Sequence, residues 1–226
     1  MIPPESVDLS WKHQHRIIPS CFPPINLFET VADPEDLEIV FAIEARTNDR
    51  LRDEVGQIGL IKPEDRISGP GSSVVMAAFT HIGNPSRFTD GSFGVYYAAY
   101  SLETAIAETV YHRERFLQAT DEAPLEITMR VYVGEIKKSM LDVRGPSWKH
   151  LYDPDPVHYP TSQGVAKTLR NQGAWGLVYR SVRDPGGQCI AAFRPPAVSR
   201  PKQGPHLRYV WNGTKISNVF EVKELR

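Results

Sequence analysis

Ser86 to His112 reads SRFTDGSFGVYYAAYSLETAIAETVYH, and the fold turns on this stretch. It begins with a cationic loop at Arg87, where Gly91 and Gly94, lacking a Cβ, would let backbone approach a ligand closely. Phe93 to Ala99 is an apolar run of strand character carrying Tyr96 and Tyr97. Successive strand residues point to opposite faces, so one tyrosine is expected to face in and the other out. Ser101 can cap a helix, with Glu103 in its first turn. Ala105, Ile106, Thr109, Val110 and Phe116 would give its buried side.

Downstream, Leu125 to Ile136 alternates, with Ile127, Met129, Val131 and Val133 on one face, the pattern of a half-buried strand. Residues 142–161 read as a long loop, and such loops often cover a site. Ser162 is placed to cap a helix closed by Gly173. Trp175 to Val182 and Gln188 to Phe193 read as strands joined by the turn Asp184-Pro-Gly-Gly. A last hairpin, Leu207–Trp211 and Ile216–Val222, turns at Asn212-Gly213.

Upstream, residues 1 to about 32 look irregular and Pro-rich, with paired prolines read as extended connections. Asp33-Pro34-Glu35-Asp36 has the chemistry of a helix start, and a second helix would run from Thr47-Asn48-Asp49 to Gly56. The expected division is therefore a helical extension, residues 1–65, packed on a main domain of residues 66–226 that ends in the hairpin. Hairpins outnumber crossover units, which predicts an α+β fold with a mixed, mainly antiparallel sheet and flanking helices. Neither GxGxxG nor GxxxxGK[ST] is present, so a nucleotide would not be held by a Rossmann or P-loop cradle.

The chain carries 26 basic and 27 acidic side chains, a net charge of −1, which argues against nucleic-acid binding as its main task. Cys21 and Cys189 lack metal spacing and are expected to be free thiols. No run reaches the roughly 20 apolar residues of a membrane span. The first residues lack a signal-peptide core, so a cytoplasmic protein is the default expectation.

Five residues could carry chemistry. Arg87 can grip a pyrophosphate through its planar fork of donors. Glu108 lies among small and apolar neighbours, where a carboxylate needs a partner. His112, one helical turn on, could touch it. Tyr97 or Tyr96 could stack on a flat ring, and Ser181, ending a strand at a tight turn, could point its hydroxyl into a site. Ser181 lacks the G-x-S-x-G context of a hydrolase nucleophile. A solvated arginine, an exposed glutamate, a structural histidine, a core tyrosine and a turn serine are the ordinary roles of the same residues. There is no HExxH pair, and no metal site is expected.

RFTDGSFGVYYAAYSLETAIAETVYH, followed downstream by GLVYRSVRDPGGQCIAAFRP, resembles the RES domain over about residues 67–198. The arginine, glutamate and serine that name that domain match Arg87, Glu108 and Ser181, and its pocket tyrosine matches Tyr97. Phe88-Thr89 stands where Trp-Asn often follows the arginine, and Pro85-Ser86 replaces a Gly-Gly, so the lip of the site and the choice of acceptor are where this chain departs. The resemblance implies a fold similar to ADP-ribosyltransferase toxins and the role of toxin in a RES–Xre toxin–antitoxin module. It implies NAD⁺ as substrate, cleaved at the nicotinamide–ribose bond by phosphorolysis or hydrolysis, with inorganic phosphate as a possible co-substrate and no separate cofactor. Arg87 would hold the pyrophosphate, Glu108 would stabilise the ribosyl cation or hold a ribose hydroxyl, Tyr97 would pack on nicotinamide or ribose, and Ser181 and His112 would contact substrate. Mono-ADP-ribosylation of a protein and an inactive RES-like binding protein are the alternatives. The implied partner is an Xre-like antitoxin, through which homo-oligomers could form.

Overall fold

The computed structural model describes residues 3–20 and 56–223. The helices expected between Asp33 and Gly56 lie outside the described residues, as does Cys21. Among the described residues nine strands form one sheet: β1 (Glu5–Val7), β2 (Gln14–Pro19), β3 (Tyr96–Ala99), β4 (Leu125–Gly134), β5 (Met140–Asp142), β6 (Gly176–Arg180), β7 (Gln188–Ala192), β8 (Lys202–Trp211) and β9 (Ile216–Val222). Their order across the sheet is β1-β5-β6-β7-β3-β2-β4-β8-β9. Every pairing is antiparallel except β5 with β6. Three helices flank it among the described residues: α1 (Ser72–Thr80), α2 (Leu102–Ala119) and α3 (Tyr159–Asn171). The fold is α+β with a mixed, mainly antiparallel sheet. The parallel β5–β6 pair is the exception because its connection carries α3, the crossover that a parallel pair requires.

Both faces of the sheet are covered. Tyr96, Val178, Ile190 and Ala192 lie on one face with Val75, Met76 and Phe79 of α1. Tyr97, Leu177, Tyr179 and Ala191 lie on the other, in a larger core that takes in Ala105 of α2 and Ala166 and Leu169 of α3. Tyr96 and Tyr97 do point to opposite faces, but neither faces solvent. Tyr96 is fully buried and its hydroxyl meets Nε2 of buried Gln14 at 3.0 Å.

The amino-terminal stretch departs most from its reading. Residues 5–7 and 14–19, taken as irregular, are strands, and β2 runs between β3 and β4 in the interior of the sheet. Its polar text hid this, since Gln14 and Arg16 are accommodated by distant partners: Gln14 bonds to Tyr96, and Arg16 sits 4.6 Å over the Tyr96 ring and donates to the Tyr97 carbonyl at 3.0 Å. Pro195–Ala197 forms a 3-10 turn rather than an extended connection, and so do Pro146–Leu151 and Pro156–His158 within the supposed loop. Proline fits the first position of such turns because its missing N–H would have no partner there.

Ser101 caps α2 as expected, accepting the Thr104 N–H at 3.1 Å. Phe116 is 54% exposed, however, and Leu117 takes the buried position. Ser162 is not a cap. α3 starts at Tyr159, and the Ser162 hydroxyl donates to the Arg87 carbonyl at 2.7 Å. Packing alone requires glycine at 94 and 91. A Cβ on Gly94 would strike the α1 backbone at Ala78 and Phe79, and one on Gly91 would lie 2.9 Å from the Gly83 carbonyl oxygen.

Candidate active site

α3 clasps the loop that precedes β3. Ser162 and the Gln163 amide donate to the carbonyls of Arg87 and Ser86, and Lys167 pairs with Asp90 at 2.9 Å. Phe88 fills the core edge-on to Tyr179. Held between these anchors, Arg87 turns inward and is 8% exposed. Its Nη1 donates to the carbonyls of Leu151 at 2.8 Å and Asp153 at 2.9 Å, and its guanidinium lies 4.6 Å over the Tyr159 ring.

Tyr97 projects from β3 toward this loop. Its hydroxyl is shared with Ser86 Oγ at 2.7 Å and accepts the Phe88 N–H at 3.1 Å. Burial pushes its pKa up to about 12, against the pull of those hydrogen bonds, so it acts as a neutral phenol.

Glu108 projects from the second turn of α2. Ser181, just past β6, donates to its Oε1 at 2.6 Å. The Ser181 oxygen in turn accepts the N–H groups of Arg183 at 3.1 Å and Asp184 at 3.0 Å. Asp184 accepts from Thr104 Oγ1 at 2.6 Å, which ties the turn back to α2. Burial raises the Glu108 pKa, whereas the Ser181 bond and the charges of Arg87 and Arg183 oppose the rise. The carboxyl group thus sits among cationic side chains with one oxygen fixed.

His112 is one turn beyond Glu108, but its ring meets Tyr111 edge-on at 5.3 Å, and no hydrogen bond or ion pair joins it to Glu108 among the described residues. Desolvation, then the charges of Arg183, Arg113, Arg115 and Arg87, push its pKa down to about 4, so it is neutral at pH 7. Cys189 is a buried free thiol whose pKa is raised, first by burial.

The structure therefore brings Arg87, Tyr97, Glu108 and Ser181 into one neighbourhood, joined by the Ser181–Glu108 hydrogen bond and by the charge of Arg87 acting on Tyr97 and Glu108, with His112 at its side. Sequence reasoning missed Arg183 and Tyr111. The Arg183 guanidinium lies 3.4 Å from the centre of the Tyr111 ring, and its Nη2 donates to the Pro154 carbonyl at 2.6 Å. Tyr111 was accessible from helical spacing, three residues after Glu108. The carbonyls of residues 151–154, which receive both arginines, carried no signal at all. Among the described residues no group of three or more His, Cys, Asp or Glu side chains could hold a metal ion, and no helix is long and apolar enough to cross a membrane.

The chain is 32% identical over 213 residues to the uncharacterized protein y4oC of Sinorhizobium fredii, covering 91% of this chain and 86% of that one. Among solved structures it resembles the M. tuberculosis MbcT-MbcA toxin-antitoxin complex at 13% identity and a TM-score of 0.38, over 57% of this chain and 72% of that one. The sequence profile of the RES domain matches residues 63–212, the span that holds Arg87, Tyr97, Glu108 and Ser181, and the chain belongs to the RES domain family.

Proposed function

We propose that this protein is an NAD⁺-consuming enzyme that cleaves the bond between nicotinamide and ribose, with phosphate or water as acceptor. The observation that carries this reading is Glu108: a half-buried carboxylate, fixed by Ser181 and set among arginines. Departure of nicotinamide leaves positive charge on the ribose, and a preorganised carboxylate stabilises it, as carboxylates do in glycosidic cleavage. Arg87 and Arg183 supply positive charge for a pyrophosphate. Tyr97, uncharged, offers a wall against nicotinamide or ribose. NAD⁺ is substrate here, and the chemistry calls for no resident cofactor.

The role that fits such an activity is that of a toxin. An unrestrained NAD⁺-consuming enzyme would deplete its own cell, so we assign it a cytoplasmic site of action and an Xre-like antitoxin partner that limits access to Glu108. Purified protein incubated with NAD⁺, with and without phosphate, and followed by mass spectrometry tests the reading. Free nicotinamide with ADP-ribose or its phosphate ester is expected. Label passed only to a protein acceptor would make it a mono-ADP-ribosyltransferase, and intact NAD⁺ under every condition would make it a binding protein. In cells, growth arrest with falling NAD⁺, absent for Glu108→Gln and relieved by the partner, is the expected phenotype.

A further inference from the structure

The two arginines whose charges act on Glu108 differ in what a ligand could reach. Arg87 is buried, and its Nη1 is held by two main-chain carbonyls. Arg183 is half-exposed. Its backbone N–H is anchored on Ser181 Oγ, its guanidinium is braced face-on by Tyr111, and it donates to the exposed carbonyl of Pro154. Tyr111 lies one turn from Glu108 on α2, so the braced cation stands beside the carboxylate, and its charge acts on both Glu108 and His112. A planar donor fork lying over a ring, half-exposed and bonded among the described residues to a single neutral carbonyl, can exchange that carbonyl for an anion. A phosphate offers that fork opposite charge and two parallel acceptors where the carbonyl offers one neutral oxygen, which favours the exchange.

We propose that Arg183, braced by Tyr111, is the specificity-determining residue that reads the diphosphate of a dinucleotide, releasing Pro154 as it binds, while Arg87 chiefly holds the 151–153 segment in place. This rests on the NAD⁺ reading above and moves the main pyrophosphate contact from Arg87 to Arg183. A residue that merely tied down the 152–158 segment would not discriminate between ligands with and without phosphate.

Titration calorimetry with ADP-ribose on the full chain tests this, using wild type, Arg183→Gln, Arg183→Lys and Tyr111→Leu, each checked for fold by circular dichroism. Arg183→Gln is expected to weaken ADP-ribose binding about tenfold or more, the scale of a lost charged hydrogen bond. Arg183→Lys and Tyr111→Leu should fall between it and wild type. In turnover, Arg183→Gln should raise KM for NAD⁺ by a larger factor than it lowers kcat, and should raise KM less for nicotinamide riboside, which has no phosphate. If Arg183→Gln does not fold, the other two variants decide. Wild-type affinity in folded Arg183 and Tyr111 variants would overturn the assignment and leave the NAD⁺ reading standing. Wild-type protein that binds neither ADP-ribose nor NAD⁺ would overturn both.

Discussion

Ser181 and Glu108, separated by 73 positions in the chain, are joined by a hydroxyl–carboxylate hydrogen bond of 2.6 Å in which the serine is the donor. The direction follows from what else the serine does. Its oxygen already accepts two backbone N–H groups, from Arg183 and Asp184, so its proton is what remains for Glu108. With both lone pairs engaged, the hydroxyl is a poor nucleophile and a good clamp. The bond favours the ionised form of Glu108 and so opposes, without cancelling, the desolvation that raises its pKa.

Glu108→Gln should lower NAD⁺ turnover by about 10²–10³-fold, the usual cost of removing one preorganised transition-state partner. The change is nearly isosteric, and it should also stabilise the fold near pH 7. A carboxyl whose folded pKa is raised favours folding below its unfolded pKa and loses that contribution as pH rises through the folded value. The glutamine has no ionised form, so its advantage over wild type should be present at neutral pH and vanish toward pH 4. Thermal melts across that range, beside a nicotinamide-release assay, check both halves. Wild-type turnover in a folded variant would remove Glu108 from the mechanism.

Ser181→Ala should retain catalysis, reduced about ten- to a hundredfold, because it removes a clamp of charged-hydrogen-bond strength rather than an attacking group. It also removes an influence that holds the Glu108 pKa down. The acid limb of the pH–rate profile should therefore move to higher pH. A profile that keeps its acid limb while activity is abolished would restore a direct chemical role to the serine.

Local chemistry in the sequence was enough to place the Ser101 cap, the α2 helix, the alternating β4 strand and the hairpin after Trp211. Asn212 shows why: its side chain accepts from the N–H groups of Thr214 and Lys215, so the turn is written in its own residues. β2 was illegible for the opposite reason. Gln14 and Arg16 look solvent-facing until Tyr96 is brought beside them from 82 and 80 positions away. The pairing of Glu108 with Ser181 is equally non-local, and only the family resemblance put the two in one site. The inward turn of Arg87 depends on carbonyls of residues 151 and 153, which no side-chain pattern reveals.

Tyr97→Phe should cost about 1–3 kcal/mol of stability, because it leaves the Phe88 N–H without its acceptor in a mostly buried setting. The Ser86 hydroxyl loses its partner as well. The wild-type phenol contributes stability that is fully present below pH 10 and is lost as pH rises through its folded pKa of about 12. Urea unfolding at pH 7 should show the deficit. It should narrow as pH is raised toward 12, where the wild-type protein loses its advantage.

Arg87→Lys should impair both stability and binding, although it keeps the charge. A lysine ammonium cannot donate in the fixed plane that lets Nη1 span the carbonyls of Leu151 and Asp153 while the guanidinium lies over Tyr159. Leaving buried carbonyls without donors costs about 1–3 kcal/mol each. The loss should be local as well as global. Residues 151–159 are fastened to the body of the protein through this side chain, so their amides should exchange faster in the variant. Hydrogen-exchange mass spectrometry of the free protein reads that directly, with the β6–β7 hairpin as an internal control. If Arg87→Lys weakened ADP-ribose binding while exchange in 151–159 stayed at the wild-type level, Arg87 would contact the ligand itself, and its structural assignment would be wrong.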